Sequence, residues 1–315
     1  MRVFLTGATG AIGGHVVPAL ISRGHTVSAL ARTPERATAL QEQGVNPVTV
    51  SLFDQVGLAT AFEGHDAVAN LATSIPPMAR SLRTGAWRDN ERIRVKGSEA
   101  VAGAATEAGV PRLIQESVVM IYAEQGSSWI DEAAPVDRYP LALPTIAAEY
   151  NAKGFTARGG IGVVLRFGLF YGPGAAHSEQ MLALARRHIG SSVGPAGSYV
   201  SSIHMADAAA AVVAAMDVPA GTYNVVDDEP LTKREYSRAL AEAAGTSVWL
   251  PGPGRAATLL GDRVTSLTRS LRVSNDRLRS TSPWAPRYPS ARQGWIATAR
   301  AVGGISGRGS DNLRD

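Results

Sequence analysis

The chain begins with a short apolar run, Arg2-Val3-Phe4-Leu5-Thr6, that passes at once into Gly7-Ala8-Thr9-Gly10-Ala11-Ile12-Gly13. No other segment constrains the fold as tightly. The run suits a buried parallel strand. Gly7 lets the chain turn sharply, Gly10 lets backbone approach a ligand closely, and Gly13 lets the next helix pack tightly on a sheet. That helix is read as Ile12 to Ser22, with Val16, Val17, Leu20 and Ile21 on its apolar face and Gly24 closing it. Its N-terminus offers N–H groups and a positive dipole end, which together suit a pyrophosphate. Glycines so placed between a strand and an amphipathic helix form a dinucleotide-binding loop.

Strand and helix patterns then alternate. Strands are expected at Thr26–Ala31, Pro47–Leu52, Ala67–Ala72, Arg112–Ser117 and Gly162–Phe167, and helices near Pro34–Gln43, Trp87–Gly109 and Ile146–Arg158. This repetition predicts an α/β fold, a Rossmann-type doubly wound parallel sheet with helices on both faces. Ligands of such sheets lie beyond the carboxyl ends of the strands. After Arg166 the pattern loosens, and Gly172-Pro173-Gly174, Gly194-Pro195-Ala196-Gly197 and Pro251-Gly252-Pro253-Gly254 punctuate short elements. Residues 1–167 are therefore read as the dinucleotide-binding domain, with 203–226 returning to it. Residues 168–302 are read as a smaller, interleaved C-terminal substrate lobe, and the small, polar stretch 303–315 as a disordered tail.

Composition narrows the function classes. The chain has 315 residues and is 45% hydrophobic, enough for a substantial core. It has no cysteine, so disulfides and thiolate metal sites are excluded. No His/Asp/Glu cluster has metal-ligand spacing, and no metal is expected. No apolar run approaches membrane-spanning length and no signal peptide precedes the first strand, so a cytoplasmic protein is expected. The net charge of +4 arises from 31 Lys+Arg scattered against 27 Asp+Glu. A nucleic-acid binder would concentrate such charge, so no nucleic-acid partner is expected.

Further motifs carry a family resemblance over nearly the whole chain. Asp66-Ala67-Val68-Ala69-Asn70-Leu71-Ala72 stands where the family has D-x-V-x-H-x-A, and Val119-Met120-Ile121-Tyr122-Ala123 where it has V-Y-G. Leu165-Arg166-Phe167-Gly168-Leu169-Phe170-Tyr171-Gly172-Pro173-Gly174 matches L-R-x-x-x-x-Y-G-P-G. Ser202-Ile203-His204-Met205-Ala206-Asp207-Ala208-Ala209 and Gly221-Thr222-Tyr223-Asn224-Val225 match I-H-V-x-D-x-A and G-x-Y-N-V. With the glycine loop, these resemble the extended short-chain dehydrogenase/reductases, the NAD-dependent epimerase/dehydratase group.

The resemblance implies a nicotinamide dinucleotide. Gly7, Thr9, Gly10, Ala11, Ile12 and Gly13 would hold its pyrophosphate, with Leu52, Phe53, Leu71, Ala72, Thr73, Arg94, Phe167, Gly168 and Leu169 along the rest of its length. The end of the second strand decides which dinucleotide. A carboxylate there would bond the ribose hydroxyls of NAD and repel a 2′-phosphate. The chain instead reads Ala31-Arg32-Thr33-Pro34-Glu35-Arg36, with no acid at the tip. Guanidinium groups at Arg32 and Arg36 suit a phosphate, so NADP is expected, with NAD the alternative.

Catalysis in the family uses Ser/Thr, Tyr and Lys, with Tyr and Lys one helical turn apart. Counting back four residues from Tyr122 puts Val118 in the Ser/Thr slot. Registering Ala147-Ala148-Glu149 on the family's A-x-E puts Leu141 in the Tyr slot and Thr145 in the Lys slot. None can perform the usual step. Arg94 stands where the family has the Asn of N-V-x-G-T. The replacement candidates are Tyr139, a loop tyrosine near the vacant slot, Glu116, a strand acid that could act as acid or base, and its neighbour Ser117. Tyr150 and Lys153 share a helix face but sit mid-helix, away from the strand ends. His204 reads as a structural histidine or as a partner of Asp207. Phe170, Tyr171, His177, Met181 and Tyr199 are candidate substrate contacts.

Two function classes remain. One is an NADP(H)-binding oxidoreductase or epimerase-like enzyme acting on a small metabolite with a non-standard proton donor. The other keeps the fold without net redox chemistry, either as an NADP(H)-binding regulatory module or as a lyase or cyclase. By family resemblance, the helices near Trp87–Gly109 and Ile146–Arg158 could bundle two copies into a homodimer.

Overall fold

A computed structural model describes residues 1–308, apart from 78, 79, 191, 192, 251 and 253. Seven parallel strands form the central sheet: β1 (Arg2–Thr6), β2 (Thr26–Leu30), β3 (Asn46–Val48), β4 (Ala67–Asn70), β5 (Arg112–Val118), β6 (Ile161–Phe167) and β7 (Gly221–Val225). Their spatial order is β7-β6-β5-β4-β1-β2-β3. The chain winds outward from β1 in both directions. The switch between β1 and β4 opens a crevice above the strand tips, where ligands of such sheets bind.

Burial on both faces explains why the strands read as continuous apolar runs. Val3, Phe4 and Leu5 have no exposed surface, and burying such side chains stabilises by about 1.5–3 kcal/mol each. On one face Val3 and Leu5 meet the helix α1 (Gly13–Ser22), through Val16, Val17 and Leu20, and the helix Met205–Ala214, through Ala208, Ala211 and Val212. On the other, Phe4 and Leu113 pack with Leu58, Phe62, Val101 and Phe155 from the helices Gln55–Phe62, Ser98–Glu107 and Leu143–Ala157. A separate apolar centre, built on Tyr171, Leu182, Tyr236 and Trp295, holds together the helices Ala176–Ala185, Lys233–Ala243 and Ala291–Arg308.

The structure departs from the sequence reading in three places. β3 ends at Val48, because Ser51 to Asp54 forms a turn whose Asp54 carboxylate accepts the Gly57 N–H at 3.1 Å and starts the helix Gln55–Phe62. That helix lacked a clear apolar stripe in the sequence. The helix expected at Trp87–Gly109 is Arg88–Arg92, a π turn at Ile93–Gly97, and Ser98–Glu107. The last helix runs through Arg308, so 303–308, expected to begin a disordered tail, are helical; 309–315 lie outside the described residues.

Candidate cofactor site and active site

The loop after β1 is shaped by two glycines. Gly7 has φ +77°, and a Cβ there would lie 2.6 Å from the Leu71 carbonyl oxygen. A Cβ on Gly13 would lie 2.3 Å from the carbonyl oxygens of Gly7 and Ala8. Any side chain at either position would push the loop off the β4 tip or α1 off the loop. Thr9, Gly10 and Ala11 are exposed, while Ala8 and Ile12 are buried and pin the loop. No side chain caps α1 and no acid sits in its first turn. The Gly14 and His15 N–H groups turn back onto the Gly10 and Ile12 carbonyls, so what the terminus offers a phosphate is chiefly its positive dipole end.

Beneath the loop, Thr6 Oγ1 donates to Asn70 Oδ1 at 2.5 Å, and Asn70 Nδ2 donates to Gln115 Oε1 at 2.8 Å. This ladder ties the tips of β1 and β4 to the middle of β5. The sequence reading placed Asn70 in the His position of a family motif but gave it no role. At the β2 tip, Ala31 is buried and Arg32 exposed. Thr33 caps the helix Pro34–Gln41, accepting the Arg36 N–H, which places the partly buried Arg36 on its first turn. Further along, Leu52, Ala72 and Thr73 are partly exposed, and the Arg92 guanidinium lies 4.1 Å from the centroid of the exposed Phe53 ring. Phe167 has no exposed surface; its side chain belongs to the core, and only its backbone can face a ligand.

The family's catalytic slots hold Val118 and Leu141, both half-buried, and the buried Thr145. Each replacement candidate is already engaged. Glu116 does not stand in an apolar pocket: Arg94, on the π turn, donates to it at 2.8 Å, and both side chains are 4% exposed. Arg94, expected along the cofactor, is thus buried against Glu116. Ser117 donates to Glu149 Oε1 at 2.6 Å. Glu149 also accepts two bonds from Arg166, both at 2.7 Å. Burial opposes the Arg166 charge, yet the Glu149 carboxylate holds its pKa above the ordinary arginine value. The Arg166 guanidinium faces the Tyr122 ring at 4.7 Å, and Tyr122 Oη donates to Asn224 Oδ1 at 2.8 Å.

Tyr139 is not a swinging loop residue. It is 7% exposed, and its hydroxyl donates to the Met120 carbonyl at 2.9 Å. Burial pushes its pKa up to about 12, against the pull of Arg269, whose guanidinium lies 4.7 Å from the ring. Tyr150 is 74% exposed and Lys153 is exposed, so that pair faces solvent. His204 caps the helix Met205–Ala214, accepting the Ala206 N–H, while Asp207 accepts the Arg287 and Tyr288 N–H groups; they do not pair with each other.

Between the turn that follows β5 and the helices Ala176–Ala185 and Lys233–Ala243 lies a cavity of about 100 Å³, walled by Met120, Leu169, Met181, Tyr199, Lys233 and Leu271. It joins two of the expected substrate residues, Met181 and Tyr199, with Leu169, expected at the cofactor. Tyr171 is not among them. It has no exposed surface, and its hydroxyl donates to the buried Asp227 while its ring packs 5.2 Å from Trp295. His177 Nε2 bonds the Phe170 carbonyl at 2.5 Å, and the Phe170 ring leans on Phe167. Lys233 was missed. Its segment Leu231-Thr232-Lys233-Arg234-Glu235 is a capping box, with Thr232 and Glu235 satisfying each other's backbone N–H groups, and this sets Lys233 at the first position of its helix. Burial lowers the Lys233 pKa to about 8, against the carboxylate charge of Glu124.

Residues 7–152 match a family model described as NAD(P)H-binding. A Streptomyces protein named 3-diazoavenalumate denitrifying reductase is 33% identical over 305 residues, spanning 93% of this chain and 99% of that protein. A Stigmatella aurantiaca ketoreductase is 26% identical over 86% of this chain and 82% of its own length. Among solved structures, the human epimerase family protein SDR39U1 with NADPH superimposes with a TM-score of 0.77 at 22% identity, covering 95% of this chain and 99% of that one. MoeE5 with UDP-glucose and NAD gives a TM-score of 0.79 at 21% identity, over 97% and 100%.

Proposed function

Since the chain belongs to the extended short-chain dehydrogenase/reductase family, we propose that it is an NADP(H)-dependent reductase of a small, largely apolar metabolite, and that it works without the family's Tyr-Lys proton relay. One observation carries the reading. The glycine cradle and the uncapped α1 terminus are intact, and an apolar cavity adjoins the end of β5, while Val118, Leu141 and Thr145 offer no acid. The residues present fit a dinucleotide. When bound, it would supply hydride.

The chain's own residues then do three things. Gly7, Gly10 and α1 hold the pyrophosphate, and Arg32 with Arg36 reads the 2′-phosphate. Met120, Leu169 and Tyr199 place the acceptor and exclude water, and hydride transfer depends above all on such placement. The proton comes from water or from the substrate itself. Both relatives named above carry reductase names, one for a diazo compound and one a ketoreductase, which favours reduction over epimerisation.

The experiment is NADPH consumption by the purified protein against a panel of aromatic ketones, quinones and diazo compounds, with deuteride label followed from NADPH into product. Label transfer is expected. NADPH that binds tightly but is never consumed across the panel would favour the second reading, a nucleotide-binding regulatory module.

A further inference from the structure

The cavity beside β5 is small, and one of its walls faces two ways. A dry apolar cavity of about 150 Å³ takes one benzene-sized molecule, so the space of about 100 Å³ here has room for a single ring. Sites that enclose a larger metabolite measure about 300–1,000 Å³. A substrate of more than one ring must therefore reach past the walls. Leu267 marks where. It lines the cavity and is also 44% exposed, so apolar surface runs from the inside to solvent at that residue.

The surface outside continues in kind. Leu267 belongs to the short helix Thr265–Thr268, which packs on the helical segment Arg255–Arg263. That segment presents Leu259 and Leu260 to water, 88% and 45% exposed. Neighbouring leucines so exposed are favoured only when something apolar covers them. The segment is also loosely held. Among the described residues, the hydrogen bonds of 255–268 all end within 254–268, and Ala257 and Val264 are its buried anchors. Few buried contacts and only internal hydrogen bonds mean a low free energy of local opening. Gly254 at φ +52° and Gly261 at φ +57° adopt backbone that favours glycine. Hinges so placed let the leucines adjust to what they cover.

Resting on the reading of this cavity as the substrate site, we propose that the substrate is a single ring bearing a long aliphatic chain. The ring fills the cavity, and the chain leaves past Leu267 to be covered by Leu260 and Leu259. The chain sets affinity, because each methylene that it removes from water contributes together with the leucine surface covering it. A polar chain would gain nothing from these leucines, so the site selects an apolar one.

The full chain, saturated with NADPH, is titrated calorimetrically with p-cresol and 4-hexylphenol, which share a ring and differ by five methylenes. A fully buried methylene gives about fourfold in affinity and a half-buried one about twofold, so the hexyl compound is expected to bind at least about thirtyfold tighter. In Leu259→Ser/Leu260→Ser that advantage falls below about fivefold while p-cresol affinity is unchanged, which also reports a folded variant. Leu259→Ser alone loses less in the same direction and keeps the comparison if the double variant does not fold. An advantage below about threefold in the wild type, or one undiminished in both variants, overturns the chain assignment and leaves the cavity reading standing. So does sedimentation in which the double substitution splits a wild-type dimer, or releases the protein from phosphatidylglycerol vesicles, with the hexyl advantage intact; the leucines then serve a second copy or a lipid surface. p-Cresol that fails to bind, or that binds Met120→Trp as well as wild type although the indole would fill the cavity, overturns both.

Discussion

Glu149 belongs to a family motif whose catalytic partners are gone from this chain, and its replacement separates structural from chemical reasons for its presence. Its carboxylate takes two bonds from Arg166 at 2.7 Å and one from Ser117 at 2.6 Å. Both members of the ion pair are at most 5% exposed. Coulomb attraction at this separation is of order 4–6 kcal/mol at an effective dielectric near 20, and desolvation of the two ions offsets most of it. Glu149→Ala keeps the desolvation of Arg166 and loses its compensation. The Tyr122 ring remains, 4.7 Å from the guanidinium carbon, and is worth only about 1 kcal/mol. The expected loss is therefore about 3–5 kcal/mol, the usual effect of stranding one buried ion. For a chain of this length that lowers the Tm by roughly 5–8 °C. Thermal melts of Glu149→Ala, Arg166→Met and the pair Glu149→Leu/Arg166→Met form the assay. The pair should recover most of the loss, since it buries no charge, and NADPH affinity should stay within about threefold. A drop under about 1 °C for Glu149→Ala would refute the reasoning. So would a double variant less stable than either single one.

The β2 tip makes a second test. Arg32→Ala should weaken NADP binding about tenfold and leave NAD unchanged, with the NADP preference falling as salt rises, because the contact is exposed and screened; equal NADP affinity in the variant would remove the clamp. Gly13→Ala should abolish binding of either dinucleotide in a titration by cofactor fluorescence, because its methyl group would lie 2.3 Å from two carbonyl oxygens. Stability should fall on acidification. Burial lowers the His204 pKa to about 4, with His15 and Arg287 acting in the same direction, while the unfolded chain takes up that proton near pH 6.5. Below pH 6.5 the unfolded state therefore binds more protons than the native one, and about 3 kcal/mol is lost between pH 6.5 and 4. His204→Asn keeps an acceptor for the Ala206 N–H and should flatten this part of the pH profile in urea titrations.

The legible part of the molecule is the part governed by near neighbours in sequence. Parallel strands buried on both faces read as apolar runs, and the glycines at 7 and 13 are demanded by backbone contacts within a few residues or with the adjoining β4 tip. The candidate site is set by pairs far apart in the chain. Arg94 and Glu116 are 22 residues apart, and Arg94 sits inside the π turn at Ile93–Gly97, just before the regular helix from which a reader would count. An extra residue in one turn changes which side chain points inward, so a period of 3.6 loses phase there. A strand acid that looked available for chemistry is instead neutralised by an arginine that looked available for cofactor. Lys233 illustrates the same limit. Its capping box is a local signal and fixes where the helix starts, but the cavity wall opposite comes from Met120 and Leu169, more than sixty residues earlier. Local rules can say that Lys233 begins a helix. Only the packing of the helix Lys233–Ala243 against segments more than sixty residues earlier turns it from a solvated first-turn lysine into a buried one at the wall of an apolar cavity.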